Sequence, residues 1–101
     1  MHSDTEMEDF AYRGKLFDFY GELLSPRQKE IYEMNVERDM SLSEIAEVVG
    51  ISRQGVHSAL QKTDAELREY EEKLGLIARF ERLKEKLSQA KELIAEIEEE
   101  L

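Results

Sequence analysis

Residues 41 to 62 decide the fold: Ser41-Leu-Ser-Glu-Ile-Ala-Glu-Val-Val-Gly50-Ile-Ser-Arg-Gln-Gly-Val-His-Ser-Ala-Leu-Gln-Lys62. The stretch reads as a short helix, a tight turn and a longer helix. Ser41 with Glu44 three residues later forms a capping box, which satisfies backbone N–H groups at a helix start. Ile45, Ala46, Val48 and Val49 place apolar side chains along one side of the first helix. Gly50 closes it, because glycine enters the left-handed conformation without a Cβ penalty. Ile51 is expected to plug the turn. Ser52 caps the second helix, and Val56, Ala59 and Leu60 supply its inner face. Arg53, Gln54, His57, Ser58 and Gln61 are left outside. Two helices joined in this way form a helix-turn-helix unit, whose second helix enters the major groove in DNA-binding examples.

Outward from this unit the chain reads as helix throughout. Ser25-Pro26-Arg27-Gln28 is a sharp helix start, with serine as cap, proline at the first helical position and glutamine at the third. That helix runs through Ile31 and Tyr32 to Val36. Before it, Phe10, Leu16, Phe17, Tyr20, Leu23 and Leu24 recur at helical spacing and predict an amphipathic helix packed on the core. Residues 1 to 8 are expected to fray. After Leu60, the positions Thr63, Leu67, Tyr70 and Leu74 prolong the second helix of the unit. Gly75 then predicts a turn or kink. No segment alternates as a strand would.

Beyond Gly75 a second pattern opens: Leu76, Phe80, Leu83, Leu87, Ala90, Ile94, Ile97 and Leu101. The alternating steps of four and three make a heptad stripe. Such a helix spans roughly 40 Å at about 1.5 Å per residue. That is too long to bury its whole stripe on a domain of this size, so Leu76, Phe80, Leu83, Leu87, Ile94 and Ile97 are expected to mediate self-association. A homodimer is the simplest outcome, with parallel, antiparallel and swapped packing all open. The chain therefore divides into a helix-turn-helix domain at 10–74 and a dimerisation or packing helix at 76–101.

Composition narrows the function. The 101 residues suit one domain with an appendage. With no cysteine, disulfides, thiolate catalysis and zinc-finger ligation are excluded. This usage fits the cytoplasm. No apolar run is long enough to span a bilayer, so no membrane insertion is expected. Adjacent acids such as Glu71-Glu72 do not share a helical face, and Glu81/Glu85 and Glu92/Glu96 read as solvated flanks of the heptads. Neither histidine, His2 or His57, stands in a helical metal pattern. There is no glycine-rich phosphate loop. No enzyme, metal site or cofactor is expected.

The net charge of −10 is unusual for a nucleic-acid binder, but it is unevenly placed. Residues 51 to 63 contain Arg53 and Lys62 and no acid. The candidate DNA-binding set is Ser52, Arg53, Gln54, His57, Ser58, Gln61 and Lys62. Arginine can pair with guanine, and glutamine with adenine, through two hydrogen bonds. Ser52 and the open amides beside it suit a phosphate. Lys62 and Arg68 reach only backbone, and Arg27 and Lys29 are secondary phosphate candidates. With so few cations, affinity should be modest.

These motifs together resemble a known pattern. Leu24-Ser-Pro-Arg-Gln28, Leu42-Ser-Glu-Ile-Ala46 and Gly50-Ile-Ser-Arg-Gln-Gly-Val56 resemble region 4 of the bacterial sigma-70 factors, which read a promoter element with that helix. The fuller resemblance is to the YlxM-like helix-turn-helix proteins. It rests also on Leu16-Phe-Asp-Phe-Tyr20 and Tyr70-Glu-Glu-Lys-Leu74, and it covers residues 10 to 87. It implies an all-α, sigma-70 region 4-like domain with a long C-terminal helix. It also implies DNA contacts at Arg53, Gln54, His57 and Ser58, with His57 standing where tyrosine is the expected family residue. Family members are often encoded beside genes of the signal recognition particle, so a regulatory role in that pathway, or a partner within it, is implied. The expected function is thus a DNA-binding regulator of duplex DNA. The rival readings are an adaptor for a protein or ribonucleoprotein that reads no DNA sequence, and an anti-sigma-like competitor.

Overall fold

The computed structural model describes residues 3–101, with side chains from Glu8 onward. Its elements are α1 (Ser3–Tyr20), a single 3-10 turn (Gly21–Leu23), α2 (Pro26–Val36), α3 (Leu42–Val49), α4 (Arg53–Leu74) and α5 (Leu76–Glu100). No strand occurs among the described residues. The fraying expected for residues 1 to 8 lies outside the described residues at Met1 and His2. From Ser3 onward the backbone is already helical.

The helix starts follow the caps that the sequence writes. Ser25 Oγ accepts from Gln28 N at 3.2 Å, and the Gln28 side chain accepts from Ser25 N at 3.1 Å. Ser41 and Glu44 repeat this box at 3.1 and 2.8 Å. The Ser41 amide and hydroxyl hold the exposed Glu44 carboxylate below its ordinary pKa. Such a cap contributes about 1 kcal/mol. Gly50 ends α3 at φ +74° and Gly75 ends α4 at φ +62°. Both are left-handed, where a side chain is strained whatever the space around it.

One core joins α1 to α4. Leu16, Phe17, Tyr20 and Leu24 pack with Ile31, Tyr32, Met34 and Val36 from α2, Ile45 from α3, and Val56, Leu60 and Leu67 from α4. The Phe17 and Tyr32 rings lie 5.6 Å apart, and those of Tyr20 and Tyr70 5.9 Å apart. Fully burying a large apolar side chain is worth about 1.5–3 kcal/mol, so these contacts dominate the fold. Four apolar residues expected on inner faces are not inside. Phe10, Leu23, Val48 and Leu74 are exposed. Leu23 sits in the 3-10 turn, which breaks the α-helical register that its spacing assumed. Phe10 lies nearly two turns before Leu16, the first buried residue of α1. Val48 lies on the flank of α3, outside the inward stripe of Leu42, Ile45, Ala46 and Val49.

Polar groups link the same helices. Asp64 on α4 accepts from Arg13 Nε at 3.1 Å and from the Tyr32 hydroxyl, and Arg13 also donates to Asn35 at 2.9 Å. Burial opposes the Arg13 charge, but Asp64 beside it outweighs that and raises its pKa. Burial first, and then the Asp64 hydrogen bond, push the Tyr32 phenol well above its ordinary value. Gln28 crosses to α4, donating to Glu66 at 2.9 Å and to the buried Thr63 at 3.3 Å.

α5 leaves this domain at the turn that Gly75 predicts, through an elbow whose side-chain contacts no local pattern in the sequence shows. The Tyr20 hydroxyl donates to Glu71 and accepts from Leu76 N at 3.1 Å. The Glu71 carboxylate accepts from Ile77 N at 3.0 Å and from Ala78 N at 3.1 Å. Glu71 therefore caps α5 from within α4, across the glycine. Burial works against its charge, yet the hydrogen bonds from Tyr20, Ile77 and Ala78 win and lower its pKa. Ile77, outside the heptad stripe, is the buried anchor of α5, and Phe80 meets Phe19 with ring centres 5.6 Å apart. After Glu81 every residue of α5 is exposed, so the molecule is elongated, 65 × 31 × 23 Å.

Candidate nucleic-acid interface

α4 has two unlike faces. Val56, Leu60, Thr63 and Leu67 are buried, while Ser52, Arg53, Gln54, His57, Ser58, Gln61 and Lys62 are all exposed. The turn before it sets where the outer face begins. Gly50 N donates to Ala46 O at 2.9 Å and Ile51 N to the same carbonyl at 3.3 Å. Ile51 is half-buried rather than fully inside. Ser52 Oγ accepts from Gly55 N at 2.9 Å, so its oxygen is committed to capping, while its O–H remains able to donate outward. A Cβ on Gly55 would lie 3.1 Å from that oxygen and 3.5 Å from Ile51 Cδ1. Glycine at 55 thus lets the turn close against α4.

The acids of the groove beside this face are held in ion pairs within the fold. On the side of His57 and Gln61, this shallow groove is also lined by Asp9, Arg13, Asn35, Leu42 and Asp64. Both of its acids are paired: Asp64 with Arg13, and Asp9 with Arg68 at 3.0 Å. The secondary phosphate candidates are also engaged within the fold. Arg27 donates to Val49 O at 3.2 Å and faces Glu30 at 3.4 Å. Lys29 pairs with Glu22, and Arg68 with Asp9. Arg27 in particular satisfies a carbonyl at the C-terminal end of α3, a favourable place for a cation. Among the described residues, Arg53 and Lys62 make no salt bridge.

The residues gathered here hold no arrangement for a metal. Among those described, no group of three or more histidines, cysteines, aspartates or glutamates is placed to bind one. No described helix is long and apolar enough to cross a membrane. Local sequence patterns do not show the roles of Arg13 and Asp64, which hold α4 against α1 and α2, or of Glu71, which holds the start of α5. Their partners stand 51, 32 and 6 residues away, beyond any local spacing rule.

An all-helical protein with this capped two-helix unit and an outward second helix is a helix-turn-helix protein. The family model described as "Putative helix-turn-helix protein, YlxM / p13 like" matches residues 7–101, and the chain belongs to that family. It is 46% identical over 87 residues to UPF0122 protein TTE1463 of Caldanaerobacter subterraneus subsp. tengcongensis, covering 86% of this chain and 74% of the relative. It is 45% identical over 92 residues to UPF0122 protein Teth514_1714 of Thermoanaerobacter sp., covering 91% and 79%. It is 47% identical over 79 residues to UPF0122 protein BH2485 of Halalkalibacterium halodurans, covering 78% and 72%.

Proposed function

We propose that this protein is a cytoplasmic DNA-binding regulator that carries out no chemical step and docks the outer face of α4 in the major groove. One observation carries the reading: from Ser52 to Lys62 the exposed face of α4 has no acid and two cations without an internal partner. Arg53 and Gln54, in the first turn, select bases. His57, Ser58 and Gln61 line the same strip, and Lys62 and the Ser52 hydroxyl reach phosphates. Because most nearby cations are already paired, few counterions are released and affinity is modest. Two copies joined through the heptad stripe present two such helices to a two-part site. A regulatory link to the signal recognition particle pathway is part of the proposal and rests on the family resemblance alone.

The test is selection from a randomised duplex pool at about 50 and 200 mM salt, the range in which phosphate attraction falls steeply. Enrichment of a common sequence, weakened by Arg53→Ala or Gln54→Ala, supports base readout. Binding without enrichment that disappears at the higher salt means phosphate attraction alone. No binding at the lower salt sinks the proposal and favours the adaptor reading, to which the net charge of −10 is better suited.

A further inference from the structure

We propose that the uncovered face of α5 binds the α5 helix of a second copy of this chain in antiparallel orientation. The inference deepens the self-association reading above and is independent of DNA. Leu83, Leu87, Ala90, Ile94, Ile97 and Leu101 form a stripe with no cover in the monomer; even Leu87 and Ile94 are each 56% exposed. Charge along its two edges identifies the occupant. In the first part of α5 the residues flanking the stripe are Arg79, Lys84, Lys86 and Lys91; in the last part they are Glu98 and Glu100. Leu93, also exposed, sits between the two groups. Among the described residues none of these six charges is in a salt bridge. The opposite side of the helix is not sorted in this way, since Glu85, Glu92 and Glu99 run along it.

Flanking charges set partner orientation in paired helices. In a parallel, in-register pair, Arg79 would face Lys84 of the second copy and Lys86 would face Lys91, which are like charges. Reversing one helix brings the basic part against the acidic part. The register follows from the elbow. Phe80 already lies on Phe19, and Glu81 is held by Lys15 at 2.9 Å, so the overlap begins at Leu83. Leu83 then meets Leu101 of the second copy, Leu87 meets Ile97, and Ala90 leaves room for Ile94. Lys84 faces Glu98, Lys86 faces Glu100, and Leu93 packs on its own counterpart at the twofold axis. The one unfavourable pair is Lys91 with itself. Sliding the partner one heptad toward the elbow would instead set Lys84 against Lys91 and crowd α1.

The protein has no native cysteine, so single cysteines report the arrangement in the intact chain. Sedimentation equilibrium of the unmodified protein should give a dimer at micromolar concentration. With a short bis-maleimide, Leu93→Cys should cross-link to itself. Ile97→Cys should not, because its counterpart is displaced by about 15 Å along the axis. Lys86→Cys should cross-link to Glu100→Cys when the two are mixed. All four positions are exposed, and circular dichroism checks that each variant is folded. A monomer at tens of micromolar, or self-linking at Ile97→Cys without linking at Leu93→Cys, overturns the proposal. Neither measurement contains DNA, so its failure is distinct from failure of the DNA-binding reading.

Discussion

The four-helix domain and α5 are both helical and both carry leucine and isoleucine at regular spacing, yet only one of them uses those residues. In α1 to α4 the apolar side chains converge on a shared interior, with Leu16, Tyr32, Ile45, Val56 and Leu67 fully enclosed. In α5 an equally regular stripe meets solvent from Leu83 onward. Helical periodicity therefore states which face is apolar, and topology decides whether anything lies opposite. Short connections fold α2, α3 and α4 back on one another. The elbow at Gly75 sends α5 away from the domain, touching it only through its first turns.

The sharpest way to break this contrast is to truncate one leucine in each region. Leu67→Ala should cost about 2–5 kcal/mol, the range for a fully buried leucine that leaves a cavity. Leu87→Ala should change monomer stability by less than about 0.5 kcal/mol, as surface substitutions do. Urea unfolding at dilution below any self-association measures both. Similar losses would mean that α5 is packed on its own domain.

The elbow is the next test, because together with Ile77, Phe80 and Glu81 it fixes one region to the other. Glu71→Ala removes a half-buried acceptor of three hydrogen bonds and should cost about 1.5 kcal/mol, the low end for hydrogen bonds to a charged group. The loss should be local. Amide exchange should quicken at Leu76 to Ala78 while the α4 core stays protected. Acid should do the same. Glu71 has a lower pKa folded than unfolded, so its contribution is complete above the ordinary glutamate pKa of about 4.3 and disappears as pH falls through the lower folded value. Tyr20 acts in the other direction. Its pKa is raised, chiefly by burial and then by Glu71, so its contribution persists below the ordinary tyrosine pKa of about 10 and is lost as pH rises through the folded value.

Gly50→Ala should cost about 1 kcal/mol in thermal or urea unfolding. No atom lies within 4 Å of the added Cβ and φ is +74°, so the whole effect is backbone strain, partly offset by reduced freedom of the unfolded chain. This position also shows what kind of information the sequence held. Capping boxes at Ser25 and Ser41, glycine stops at 50 and 75, and the outer face of α4 are local patterns, and each was legible because its cause lies within a few residues. The Arg13–Asp64–Tyr32 link and the Glu71 cap were not legible, since their partners are joined only by the folded topology. Ile77 was hidden for a third reason. It stands beside a stronger heptad pattern, and nothing local says that the domain, rather than a partner helix, would claim the first turn of α5. Val48 misled in the converse way: it sat in an apolar run on a helix too short to bury every member.

The smallest effect on the fold is expected where the largest effect on function is proposed. Arg53→Ala and Gln54→Ala should each leave the unfolding free energy within about 0.5 kcal/mol of the parent, because neither side chain has an internal partner among the described residues. The outer face of α4 resembles α5 in this respect: it is held in place by the fold and contributes little to it. It differs in chemistry, since one face is polar and mildly basic and the other is apolar with sorted charges. Measuring both variants by urea unfolding and by DNA selection separates the two roles. Unchanged stability with lost sequence enrichment assigns these residues to recognition. A loss near the 1 kcal/mol of a helix cap would instead show that Arg53 and Gln54 help to hold the start of α4, and the contrast between its inner and outer faces would have to be redrawn.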